Sequence, residues 1–196
     1  MKKIMISTLL FSGMLSISTG QVHAADADSH DTIGNVGFTA PTTGGSTMTN
    51  TDALNIDFGS NPISADDKTY TNINNAKATV QDIRGTAAGW TLTVAQNAQF
   101  KTSDNDELTG AQITIKTPTL DSNSTATATV DQNLILTTDN TAHKVMGAAA
   151  GDGNGTAIAD MNTGSVALAV PGKTVKVAKN YTTMLTWNLA DAPANN

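Results

Sequence analysis

The chain has 196 residues, a net charge of −6, no cysteine, and 4% aromatic against 39% hydrophobic residues. Eleven basic side chains, one of them arginine (Arg84), face seventeen acidic ones, a balance that excludes nucleic acid as a partner and gains little from anionic lipid. Without cysteine there are no disulfides and no cysteine-linked lipid anchor, so burial and hydrogen bonds must hold the fold.

Lys2 and Lys3 precede a mostly apolar run, Ile4 to Ile17, and Val22-His23-Ala24 supplies a small-residue cleavage pattern. Residues 1–24 therefore read as a secretory signal peptide cleaved after Ala24, the run being too short and too polar for a membrane span. Its removal leaves 172 residues, enough for one domain with a sizeable core, and 9 basic against 17 acidic side chains, a net charge of −8. Residues 25–35 are polar and read as a flexible N-terminus. There Asp26, Asp28, His30 and Asp31 form a solvated acidic segment rather than a metal cluster. One domain is expected over 36–196.

Threonine and valine are frequent, Glu107 is the single glutamate, and no window keeps a 3.6-residue apolar period, so the chain reads as strands. Val36-Gly37-Phe38 and Leu54-Asn55-Ile56-Asp57-Phe58 are early candidates, the second closed by turn residues Gly59 to Pro62. Thr79–Ile83 and Trp90–Val94 flank Arg84–Gly89, which has the composition of a hairpin-type loop. Ala111–Lys116, Thr125–Val130, Leu134–Leu136, Ser165–Val170 and Thr174–Val177 follow, with a long Gly/Ala segment from Gly147 to Gly155 and a turn at Pro171-Gly172. The last strand, Tyr181 to Leu189, places Tyr181, Thr183, Leu185, Trp187 and Leu189 on one face. Short strands with frequent turns predict an all-β, single-domain antiparallel β-sandwich, or a barrel-like relative, with long loops.

No catalytic set is apparent. Beyond the leader two histidines remain, His30 and His143, the latter in a polar turn, and neither sits in a nucleophile or zinc pattern. Ser103–Glu107 and Gly151–Gly155 are oxygen-rich but match no calcium-loop spacing and read as solvated turns. No metal and no cofactor is expected. Lys173, Lys176 and Lys179, beside Tyr181, form the one basic cluster. It suits an anionic wall polymer, or more simply a solvated edge. Asp82 and Arg84 share a strand face before Gly85, where arginine's five donors can pin the loop or meet a ligand.

The two tryptophans share one local pattern, Trp90-Thr91-Leu92 and Trp187-Asn188-Leu189. In each, Trp and Leu point to the same strand face. Such a tryptophan is more often core than a flat platform for a sugar ring or a partner protein.

These segments resemble the WxL domain proteins of Gram-positive bacterial surfaces. Val80-Gln81-Asp82-Ile83-Arg84-Gly85 with Ala88-Gly89-Trp90-Thr91-Leu92-Thr93-Val94 is similar to the family's first motif. Tyr181 to Leu189, with Pro193 behind it, is similar to its C-terminal motif. Leu108–Ile113, Val170–Lys173, Val36–Phe38 and Ile56–Gly59 also match family positions, so the resemblance spans nearly the whole chain beyond the leader. Gly155-Thr156-Ala157 departs from the pattern, which has an aromatic after Gly-Thr. The resemblance implies a secreted, non-enzymatic protein held non-covalently on the cell wall, with peptidoglycan or an associated wall polymer as ligand. It also implies assemblies with a larger WxL protein and a membrane-anchored WxL-interacting partner, and adhesion to host matrix proteins in some relatives. The motif residues Trp90, Leu92, Trp187 and Leu189 are then binding or structural. The surface of Asp82, Arg84, Gly85, Gly89, Tyr181, Lys173 and Lys176 is the candidate contact.

Overall fold

The computed structural model describes residues 36–39, 46–49 and 54–193. The expected leader over 1–24 and the polar segment over 25–35, with Asp26, Asp28, His30 and Asp31, lie outside the described residues. Two units are distinguished, Met1–Gly37 and Phe38–Asn196. Of the first, Val36 and Gly37 are described, as exposed coil. The strands belong to the second.

Its strands, in order, are β1 (Ser46–Thr49), β2 (Lys68–Thr71), β3 (Ala76–Asp82) and β4 (Trp90–Gln96). Then come β5 (Gln112–Ile115), β6 (Thr119–Leu120), β7 (Thr129–Val130) and β8 (Leu134–Ile135). The last four are β9 (His143–Ala148), β10 (Gly155–Met161), β11 (Val166–Val170) and β12 (Leu185–Ala190). They form three four-stranded sheets, β1-β3-β10-β6, β2-β11-β5-β8 and β12-β4-β9-β7, with every pairing antiparallel. No helix longer than an isolated turn occurs among the described residues. The first and third sheets approach each other at both edges, β1 beside β12 and β6 beside β7. The result is a β-sandwich and not a closed barrel.

Side-chain size fits these layers together. The first sheet turns the small Ala76, Ala78, Ala157 and Ala159 into the core, and the third contributes the bulky Trp90, Leu92 and Met146. Small and large side chains share one buried cluster, the mixture by which cores reach native density. The second sheet extends the same core with Ile113, Ile115, Val166 and Leu168.

Several expected elements differ. Arg84–Gly89 is no hairpin: β3 and β4 belong to different sheets, so this loop crosses between layers. Val36-Gly37-Phe38 forms no strand; Phe38 is 92% exposed, with no neighbouring chain to pair with among the described residues. Residues 54–58 keep the expected alternation, with Leu54, Ile56 and Phe58 inward, but a side chain replaces much of the ladder. Asn74 accepts from the Asp57 N–H at 2.9 Å and donates to the Asn55 carbonyl at 2.6 Å. Thr174–Val177 is loop, Thr125–Val130 is strand only at its last two residues, and His143 opens β9 instead of lying in a turn.

Candidate functional site

The two Trp-x-Leu segments are neighbours. β12 pairs with β4 so that Leu189 faces Leu92 and Trp187 faces Val94. Trp90 lies four residues further along β4, roughly 13 Å at the strand rise. Antiparallel pairing thus joins the leucines and separates the indoles. The two tryptophans are not equivalent: Trp90 is fully buried, whereas Trp187, on an edge strand, is half-buried.

Trp90 is sealed by two loops. Its Nε1–H donates to the Gly153 carbonyl at 3.2 Å. A Cβ on Gly153 would sit 2.7 Å from that nitrogen, and one on Gly89 would sit 2.6 Å from the Ala148 carbonyl oxygen. Both glycines have positive φ, so the close approach and the backbone conformation each call for glycine. The loops also bond to each other, through Ala87 N–H to Asn154 Oδ1 at 3.1 Å and Gly151 N–H to the Ala87 carbonyl at 2.8 Å.

Arg84 ties this end together. Its Nε and Nη2 fork onto Asp82 at 2.9 and 2.7 Å, and Nη2 also reaches the Gly89 carbonyl at 2.9 Å. Nη1 bonds Asp191, just beyond β12. The Asp82 side chain has no exposure and that of Arg84 has 13%. The guanidinium bonds hold the Asp82 carboxyl below its ordinary value, and the carboxylate in turn raises Arg84. Arg84 therefore pins the first motif's loop to the end of the second motif's strand. Gly85 is exposed beside it, with open space around its Cα.

The lysines do not act as one cluster. Lys176 donates to three carbonyls, of Pro171, Gly172 and Thr174, at 3.0, 3.2 and 3.0 Å. Lys179 pairs with Asp104 and lies 3.6 Å from Asp106, and these carboxylates raise its pKa. Lys173 is exposed. The Tyr181 hydroxyl accepts from the Val177 N–H at 2.9 Å, which orients its ring.

Beside β12 an open cleft of about 1460 Å³ separates the segment 54–63 from the segment 176–183. Its lining includes Phe100, the row Tyr70, Leu168 and Ile113 across the second sheet, and Leu185 and Trp187 of β12. Five of the chain's eight aromatic side chains border it: Phe58, Tyr70, Phe100, Tyr181 and Trp187. Phe100 braces Phe58 edge-on, with ring centroids 6.4 Å apart and planes at 71°. The cleft was not anticipated as a unit, because its walls come from distant segments. The half-buried alternation from Tyr181 to Leu189 was its one local signal.

Fold and site define a class: a β-sandwich module built round two adjacent Trp-x-Leu strands, with an aromatic cleft at its edge. Comparison with known families matches residues 25–193 to the family described as WxL domain surface cell wall-binding. The chain belongs to that family, whose members are surface proteins that bind the cell wall. No match is found among curated proteins or among solved structures.

Proposed function

We propose that this protein is a non-enzymatic module, exported by its 1–24 leader, that holds non-covalently to peptidoglycan through the cleft beside β12. The observation that carries this reading is the gathering of five aromatic side chains at one open cleft in a chain with few aromatics. Concave, mostly apolar surfaces with a few polar groups are where ligands bind, and flat rings suit the apolar faces of sugars. Glycan cleavage needs two carboxyl groups across the scissile bond. Among the described residues the cleft borders one, Asp57, whose Oδ1 already accepts the Gly59 N–H at 2.8 Å. Walls stripped of protein should sediment the secreted protein and release no muropeptides, while a lysozyme control does. Failure to sediment would overturn direct wall binding.

A second reading has the protein as an interaction subunit, retained by a membrane-anchored partner and a larger WxL protein. Ile63 and Ile73, about 60% exposed at the cleft rim, favour a protein contact there. On that reading, deleting the anchored partner releases the protein to the medium and stripped walls do not bind it.

A further inference from the structure

We infer that the cleft recognises the uncharged amino-sugar backbone of a glycan strand, and not its carboxylate-bearing stem peptides or a phosphate polymer. This rests on the wall-binding reading above. Three charged side chains border the cleft, Asp57, Lys176 and Lys179. An anionic ligand needs cations with donors to spare, ideally an arginine fork. Lys176 has committed its three N–H donors to backbone carbonyls, and Lys179 is held by two carboxylates. The chain's one arginine is bound by Asp82 and Asp191 and does not border the cleft. An anion entering the cleft meets no uncommitted cation among the described residues, on a protein that is itself acidic.

The apolar side of the cleft is, by contrast, prepared. Tyr70, Tyr181 and Trp187 are half-buried, each packed on the core and bordering the cleft. The Tyr181 ring is oriented by its hydroxyl bond to Val177 and Phe58 by its edge contact with Phe100, so little order is lost on binding. Exposed Ser60 and Asn180 on the rim offer groups for sugar hydroxyls and acetamides. The cleft's volume exceeds the roughly 300–1,000 Å³ of sites for single small molecules, as a polymer segment requires.

The test uses the secreted protein with four probes: whole stripped sacculi, soluble glycan strands freed of stem peptides with the exposed lactyl carboxyls capped as amides, isolated stem peptides, and teichoic acid. Strands should bind, and raising salt from about 0.1 M to about 1 M should change their affinity less than about twofold, because binding an uncharged backbone forms no ion pair for salt to screen. Trp187→Ala and Tyr181→Ala should each weaken strand binding at least about tenfold, with Trp187→Phe restoring most of it. Circular dichroism and thermal melting identify any variant that has lost its fold, and the wild-type salt series stands without them. Sacculi bound without strands, binding confined to stem peptides or teichoic acid, or a tenfold loss with salt would each overturn this inference alone. No binding to sacculi would overturn the wall-binding reading beneath it.

Discussion

Burial divides the labour between the two tryptophans. Trp90 has no exposure and its one polar atom is satisfied by Gly153, so truncation leaves a large cavity. Trp90→Ala should cost about 3–5 kcal/mol in urea unfolding, and Trp187→Ala distinctly less. Gly153→Ala should destabilise by about 1–3 kcal/mol, because its Cβ would press on Trp90 and Ala148 at positive φ. Arg84→Met leaves Asp82 as a buried carboxylate without its fork, a loss of about 3–5 kcal/mol near neutral pH. The sign with pH is fixed. A carboxyl whose folded pKa is depressed contributes stability above its ordinary value of about 3.9 and loses it as pH falls through the depressed one. The stability gap between wild type and Arg84→Met, measured by denaturant titration, should therefore narrow below about pH 4.

Among the elements, β12 is the hinge between core and cleft. It is bonded to β4 on one side, and its inward residues Leu185, Trp187 and Leu189 are half-buried. β4 and β9 are flanked by strands on both sides. Amide exchange should be slowest in β4 and β9 and faster over 55–63 and 176–183, where few ladder bonds hold the backbone; wall fragments should slow those two segments selectively. The strands legible in the sequence are β4, β5, β11 and β12, whose residues alternate, with most of β3 and β8, which the expected Thr79–Ile83 and Leu134–Leu136 overlap. β9 escaped because it carries a bulge at Val145, opposite the Leu92–Thr93 step of β4, which leaves Val145 and Met146 buried consecutively and breaks the period of two. β10 escaped because its inward residues Ala157 and Ala159 are small and follow a glycine-rich run. The loop at Arg84–Gly89 has a hairpin's composition. Nothing local says that its two strands leave for different sheets.

For the whole molecule, composition and charge were enough to give an all-β domain and to turn attention from nucleic acid, but the site was only partly legible. The motif residues were visible as motifs. That Leu92 meets Leu189, and that Arg84 bonds Asp191, depends on pairing strands about a hundred residues apart. Arg84 and Lys176, named as candidate contacts, make internal bonds, Arg84 in the pinning role that the sequence left open beside ligand contact. The cleft emerges only when segments near 58, 70, 100, 181 and 187 converge. Whether Trp187 and its neighbours meet the wall can be read from acrylamide quenching of the protein's own fluorescence. Free protein should show one shielded and one quenchable indole, and saturating stripped walls should shield the second with a blue shift that Trp187→Phe removes. Quenching unchanged by walls that bind the protein would show that Trp187 does not meet them.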